Sequence, residues 1–321
     1  TITVKSASNT NYNEKTETYT VTVNKYSSYK IGDYVNYTYD TAGNYKITSE
    51  ICGSSENPAE GIPQTTGLKW RILNIDEAKG TVDLASAAPT SNTVGFKAIL
   101  GYNNGPYVMD KICEALYSNN SRGIKARSID LLDMEQHLTA AGIAARNADS
   151  GAVKYGTTKT YPSNTKYPSL YANQKGAGPN ITKGNDPYEE SKAIATTEPT
   201  TDNTSGTGNP LTVTQTFYYI PINDTNYGTA SSVLANSTYF WVASRYVNTN
   251  SDNANFGLRN ANTNTNGNNM FNSNGNTNNN NNRLRPVDSI HCGYAIINCI
   301  RDNIETNRCP VACKSYKCKN R

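Results

Sequence analysis

The sequence predicts an α+β domain with antiparallel strands and two helices. Three observations carry this. Period-two alternation of apolar residues marks short strands at 29–39, 68–86, 211–221 and 238–247, with "FGLR" (256–259) and "RLRPV" (283–287) completing the set. Helical spacing marks two segments between the early and late strands, roughly 106–118 and 127–142. A stretch at 150–210, rich in Gly, Ser, Thr, Asn, Pro and Tyr, has little periodicity and few residues to bury. Strands, then helices, then strands around a long loop form the α+β pattern rather than an alternating βαβ series.

Taken in order, residues 1–25 come first. Ile2 and Val4 share one face, and Tyr19, Val21 and Val23 share another, as in two strands joined by a polar turn. Two strands are not a domain. They resemble the closing strands of bacterial immunoglobulin-like surface repeats, which often end in a run such as Thr20–Val23. That resemblance implies a multi-domain, exported parent.

The larger unit spans 29–287. "YKIGDYVNYTY" (29–39) turns into a strand in which Val35, Tyr37 and Tyr39 alternate. "LKWRILNID" (68–76) puts Leu68, Trp70 and Ile72 on one face, and the turn "DEAKG" leads into "TVDLAS" as a hairpin. Asn104-Gly105-Pro106 reads as a helix start, followed by Val108, Ile112, Ala115 and Leu116 at helical spacing. The second helix, "RSIDLLDMEQHLTAAG", has Ser128 or Asp130 as its cap and acids in the first turn. Its buried stripe is Leu131, Met134, Leu138 and Ala141, and Gly142 lies past its end. His137 is expected at its surface or boundary, Trp70 and Trp241 in the core. Arg245, Arg259, Arg283 and Arg285 are expected to bridge carboxylates and strand carbonyls.

Composition excludes several function classes. The 321 residues are 36% apolar, with mean hydropathy -0.66 and a net charge of +4. No long basic stripe precedes residue 300, so nucleic acid is not indicated. No apolar run of about 18 residues is present, so no membrane insertion is expected within this chain. Only two histidines occur, which leaves little material for a His-based metal site or a Ser-His-Asp triad. The 23 tyrosines against 5 phenylalanines suit a binding surface, because Tyr supplies contact area at little entropic cost.

The motifs "GYNNG" (101–105), "ICEALYSN" (112–119), "ARSIDLLDMEQHL" (126–138), "YFWVASRYV" (239–247), "NFGLR" (255–259) and "RLRPV" (283–287) occur in that order. Together they resemble a C-type lectin-like domain of the formylglycine-generating-enzyme-like branch, found in bacterial and prophage surface proteins. Many members of that group are variable proteins of diversity-generating retroelements. In those systems a reverse transcriptase misreads template adenines, and the copy replaces the matching stretch of the target gene. Asn is encoded by AAC or AAT, so randomising the leading adenines reaches most residue types without a stop codon.

That signature matches one segment here. From Asn248 to Asn282, 18 of 35 residues are Asn. The resemblance implies a variable ligand-binding face formed by Asn248, Asn250, Asn253, Asn255, Asn260, Asn262, Asn264, Asn266, Asn268, Asn269, Asn272, Asn274, Asn276, Asn278, Asn280 and Asn282. The residues between them are scaffold types: Phe256, Gly257, Leu258, Met270, Phe271 and Gly275. A continuous strand would place the even-numbered Asn on the apolar face of Phe256, Leu258 and Leu284. The expectation is therefore that the chain leaves strand geometry at about 260, turns at Asn274-Gly275 and re-enters near 283.

The resemblance thus implies a surface-displayed, extracellular, non-enzymatic binder of an unknown protein or glycan ligand. It implies neither cofactor nor metal. The calcium-binding motifs of animal lectins are missing, since Trp241 is followed by Val242 and "TEP" (197–199) by Thr200. "NDPYEE" (185–190) reads as an exposed acidic loop. "CKSYKC" (313–318) follows the last scaffold motif, whereas the cysteine pair of the enzymes precedes it, so no catalytic residue is assigned. The Cys-rich tail 288–321 departs from the family. A disulfide-stapled extension and an out-of-frame reading of the usual ending both stay open. The rival to the whole reading is a structural or adhesive surface module with a fixed Asn tract.

Overall fold

The computed structural model describes residues 2–6, 15–19, 29–41, 45, 47–55, 67–148, 154, 159–160, 212–213, 218–250, 253–271 and 276–291. The chain divides into two compact units, Thr1–Lys30 and Ile31–Arg321. In the first, β1 (Ile2–Ser6) and β2 (Lys15–Tyr19) pair antiparallel, with Ile2 opposite Tyr19 and Val4 opposite Glu17. Val21, Val23, the loop 161–210, "NDPYEE", "CKSYKC" and the tail beyond His291 lie outside the described residues.

The second unit opens with β3 (Tyr34–Val35), a short helix α1 (Ser49–Cys52), the hairpin β4 (Trp70–Asp76) and β5 (Thr81–Ser86), and β6 (Thr93–Lys97). Helix α2 (Ala98–Tyr117) leads to β7 (Ala126–Ser128), α3 (Leu131–Glu135) and α4 (Ala140–Ala148). The two-residue strands β8 (Lys159–Thr160) and β9 (Thr212–Val213) pair with each other. Then come α5 (Asp224–Tyr227), α6 (Ser231–Leu234), the long hairpin β10 (Phe240–Asn250) and β11 (Asn253–Ala261), β12 (Thr265–Asn269), β13 (Asn279–Arg283) and β14 (Pro286–His291).

The strands form two five-stranded sheets, ordered β3-β4-β5-β14-β7 and β12-β11-β10-β13-β6. The class is α+β, with mostly antiparallel pairing. One step differs: β13 meets β10 in parallel at Phe240 and Arg283. A hairpin forces antiparallel neighbours, but β13 returns from β12 through a longer connection that leaves its direction free. Strand β14 runs past Val287, where the sequence reading closes the domain, and ends at His291 in the middle of its sheet.

Both sequence-predicted helices are re-cut by packing. Helix α2 begins at Ala98, so Asn104-Gly105-Pro106 lies inside it rather than at its start. Proline and glycine disfavour a helix interior by local propensity. Here Gly101, Tyr102, Asn103, Asn104, Gly105 and Pro106 are all buried, and that burial overrides propensity. A Cβ on Gly105 would come within 2.6 Å of Leu258 Cδ1, so the missing side chain is what lets α2 lie close to β11. The Tyr102 ring stands edge-on to Phe256 at 5.3 Å between centroids.

The second predicted helix is two. Asp130 accepts a hydrogen bond from Asp133 N at 3.0 Å, and the Asp133 carboxylate accepts one from Asp130 N at 2.8 Å, a reciprocal cap on α3. Asp133 also takes both terminal nitrogens of Arg127, at 2.5 and 2.7 Å. The chain then breaks, and the Thr139 hydroxyl restarts α4 by accepting Gly142 N at 3.0 Å. Leu131 and Met134 are buried and Leu138 half-buried, as expected, but Ala141 is exposed. Gly142 is inside α4 rather than beyond it, where a Cβ would strike the Asn226 carbonyl oxygen.

Trp70 and Trp241 are fully buried, and Trp241 Nε1 donates to Val94 O at 2.8 Å. Arg285, also fully buried, sits in the crossing between β13 and β14. It donates to the carbonyls of Leu234 (2.7 Å), Val233 and Ser86 (3.2 Å), satisfying the C-terminal end of α6. Burial, and secondarily the charge of Arg71, pulls its pKa down to about 9.

Asp288 on β14 is fully buried, with Oδ1 accepting from the Tyr37 hydroxyl at 3.2 Å and, among the described residues, Oδ2 in no hydrogen bond. Burial pushes its carboxyl up to about 8, against the lowering influence of the Tyr37 hydrogen bond and Arg127. The folded state therefore holds a proton that the unfolded chain releases near pH 4. The stability this group contributes is full below about pH 4 and is lost as pH rises through about 8. Asp288→Asn should remove that loss. Urea unfolding at pH 6 and pH 9 should show the variant gaining on the parent at pH 9, by a few kcal/mol at most. An equal difference at both pH values would contradict a buried protonated acid.

Candidate functional site

The Asn-rich strands β10, β11 and β12 rest on a layer of apolar side chains. Phe256, Leu258, Met270 and Phe271 are all fully buried, and the Phe256 ring stands edge-on to Phe271 at 6.4 Å. Met270 N donates to Phe256 O at 2.7 Å, so the chain beyond β12 stays in register with β11. Gly257 is fixed by contact: a Cβ there would lie 2.5 Å from Asn268 O and from the Tyr246 ring. Gly275 is outside the described residues.

The expected exit from strand geometry at about 260 matches the end of β11, but the expected re-entry only near 283 is overturned. β11 continues to Ala261, β12 fills Thr265–Asn269, and β13 fills Asn279–Arg283. Parity then has the consequence that the sequence argument sought to avoid. Asn260 stays on the side of Phe256 and Leu258 and is only 3% exposed. Asn282, on the parity of Leu284, is also buried, as is Asn255. A turn at 262–264 limits the effect: Asn262 N donates to Asn264 O, and Asn262 Oδ1 accepts from Asn264 N, both at 3.0 Å. The reversal moves the later Asn onto β12, whereas in this sheet α2 packs chiefly on β10 and β6 and more lightly on β11.

Among the sixteen Asn named from sequence, Asn262, Asn264, Asn266, Asn268, Asn269, Asn278 and Asn280 are half-buried, and Asn276 is exposed. Asn248 and Asn250 lie in β10 and Asn253 begins β11, with side chains outside the described set. Asn272 and Asn274 lie outside the described residues, and with them the proposed Asn274-Gly275 turn. Several amides hold backbone rather than face solvent alone. Asn278 and Asn280 both donate to Asn269 O, at 3.3 and 2.8 Å, and the Tyr246 hydroxyl donates to Asn269 Oδ1.

The sequence reading places a strand at 211–221 but does not assign it to this face, which its last residues complete. Residues 218–222 run alongside β12: Thr265 N donates to Ile220 O at 2.9 Å and Ile222 N to Thr263 O at 2.8 Å. The Thr265 hydroxyl accepts from Ile220 N at 2.8 Å. Pro221 is opposite Asn264, so the same register sets Tyr219 opposite Asn266. A cross-strand row results, Trp241–Asn260–Asn266–Tyr219, grading from a fully buried indole to a tyrosine 51% exposed. The alternation of Tyr218, Ile220 and Ile222 against Tyr219 and Pro221 was the available signal.

The arginines divide by role. Arg285 binds carbonyls as expected, without a carboxylate. Arg245 lies over the Tyr102 ring at 5.3 Å. Arg259 is fully buried and, among the described residues, its guanidinium makes no hydrogen bond; it stacks on Tyr218 at 4.5 Å and reaches Tyr246 at 6.0 Å. The carboxylate bridge expected for it is replaced by ring contacts, because the Tyr-lined core offers π faces at that point. Arg283 ends β13 opposite Thr93.

Among the described residues no group of three or more His, Cys, Asp or Glu could hold a metal ion. Cys52 and Cys113 are buried free thiols whose pKa burial raises, which keeps them in the unreactive protonated form. No described helix is long and apolar enough to cross a membrane. Comparison of the chain with protein-family models, curated proteins and solved structures finds no match.

Gly257 gives the sharpest test of the layer beneath the Asn strands. Gly257→Ala should destabilise the second unit by about 1–3 kcal/mol, because the clash is with backbone and a buried ring. Thermal melting would check this; an unchanged Tm would mean the layer is loose.

Proposed function

We propose that the chain is a surface-displayed ligand-binding protein of the C-type lectin-like kind, with the Asn-rich face diversified by a retroelement. The observation that carries the reading is the split within 248–282: the amides of β12 and the following connection are half-buried or exposed, while Phe256, Leu258, Met270 and Phe271 beneath them are fully buried. Substitution on such a surface shifts stability by less than about 0.5 kcal/mol, whereas a buried Phe or Leu loses several. Recognition would then be combinatorial, with side chains that differ between lineages on one constant support. Asn gives a polar default face, and variants carrying Tyr, Trp or Arg at these positions should bind harder. The reading assigns no catalysis. The ligand would be a protein or glycan on another surface, met outside the cell.

A fixed structural or adhesive module is the second reading, and a specific observation favours it. Asn278 and Asn280 hydrogen-bond a backbone carbonyl, and Asn255, Asn260 and Asn282 are buried. The diversified set is accordingly narrowed to the half-buried and exposed amides, with those three assigned to the support.

The gene's surroundings separate the two. Retroelement diversification requires a near-copy of the codons for about 240–287 close by, together with a reverse transcriptase gene. Related strains should then differ at Asn codons of β12 and the 276–281 connection and agree at Phe256, Leu258, Met270 and Phe271. A locus without template or reverse transcriptase, and with the Asn codons unchanged between strains, would leave the fixed module.

A further inference from the structure

The sequence contains three Asn-Gly steps: Asn104-Gly105, Asn266-Gly267 and Asn274-Gly275. Glycine carries no Cβ to hinder its own nitrogen from approaching the preceding side chain. In a flexible chain such a step cyclises spontaneously. A fold suppresses the reaction when it buries the amide or ties up the glycine N–H. The first step is suppressed in this way, because Asn104 is fully buried within α2. The third lies outside the described residues.

Asn266-Gly267 is different. Asn266 is half-buried on the cross-strand row between Asn260 and Tyr219. Thr265 N donates to Ile220 O, away from β11, and alternation along β12 turns the Gly267 N–H away from β11 as well. There, among the described residues, it finds no strand carbonyl. It donates to Oδ1 of Asn266 itself, at 2.8 Å. Oδ1 is bonded directly to Cγ, so the strand holds the glycine nitrogen beside the carbon it would attack. The ladder bond that would normally hold such a nitrogen is replaced by a contact with its reaction partner.

We propose that Asn266 is a self-modification site, at which the Gly267 nitrogen converts the side-chain amide to a carboxylate in the folded protein. Gly267 N gives its proton to solvent base and attacks Cγ, forming a new N–C bond. The Cγ–Nδ2 bond breaks, and Nδ2 leaves as ammonia after taking up a proton. The resulting cyclic imide is opened by water. Cleavage of one ring C–N bond gives aspartate, and cleavage of the other gives isoaspartate. The net change is amide plus water to carboxylate plus ammonium, with no oxidant or reductant.

The product places a negative charge among Asn264, Asn268 and Tyr219, which are neutral. The iso form also adds a methylene to the β12 backbone, which breaks the pairing of Asn266 with Asn260. The face would thus change with the age of the molecule without any change in its gene. The chemistry does not depend on what the face binds; only its consequence for recognition rests on the binding reading.

The test is incubation of the full chain, folded and chemically unfolded, at pH 8, followed by peptide mapping that resolves aspartate and isoaspartate at each step. Asn266 in the folded chain should convert at a rate within about tenfold of the unfolded chain, while Asn104 stays unmodified. Gly267→Ala should slow Asn266 by about tenfold or more, since the added Cβ hinders the nitrogen. Melting curves of that variant would confirm that it is folded. Asn266 as inert as Asn104 in the folded chain would overturn the proposal, as would conversion unaffected by Gly267→Ala.

Discussion

The close approach of α2 to β11 is the constraint on which the Asn-rich face depends. It exists because Gly105 has no side chain where Leu258 needs the space. Tyr102 on the helix meets Phe256, Phe256 meets Phe271, and within the sheet Trp241 meets Phe96 at 5.5 Å. These contacts bury the apolar residues interspersed among the amides. Without them, a segment in which half the residues are Asn would have nothing to offset the entropy of ordering its backbone.

The same packing sets the limit of the proposed variable face. Under the cover of those packed side chains an amide on the apolar parity is trapped: Asn260 is buried and, among the described residues, its Oδ1 makes no hydrogen bond. Beyond the cover, on β12 and the following connection, amides reach solvent or the backbone. The boundary between support and variable surface therefore runs across the sheet rather than along the chain. It separates Asn260 from Asn266, which are cross-strand partners.

Much of this architecture was legible in the sequence, and its failures are instructive. Alternation located β4, β5 and β10, and the two tryptophans and the scaffold residues around 256–271 fell where their chemistry demanded. Local signals failed where tertiary contact outweighed propensity. Pro106 reads as a helix start but is a helix interior, because the preceding turn is buried. Leu131 to Gly142 reads as one helix but is two, because Asp130 and Thr139 each start a new one. The Asn were expected in a loop because a continuous strand would set the even-numbered ones on the apolar face. They occupy strands because β11 is already held on one side by β10 and beneath by α2, which leaves little for local preference to decide. Composition points to the proposed set of positions; which of those amides are exposed was not legible, since that depends on how the strands pair and what packs against them.

The central claim is that the half-buried and exposed Asn contribute little to folding while the layer beneath them contributes most. The most direct measurement is a displayed library randomised across 253–282 and sorted by protease resistance. The account predicts that Asn264, Asn266, Asn268 and Asn276 accept nearly any residue, whereas Phe256, Gly257, Leu258, Met270, Phe271 and the buried Asn255, Asn260 and Asn282 accept few. Restriction at Asn264 to Asn276 as tight as at Phe256 and Leu258 would contradict it.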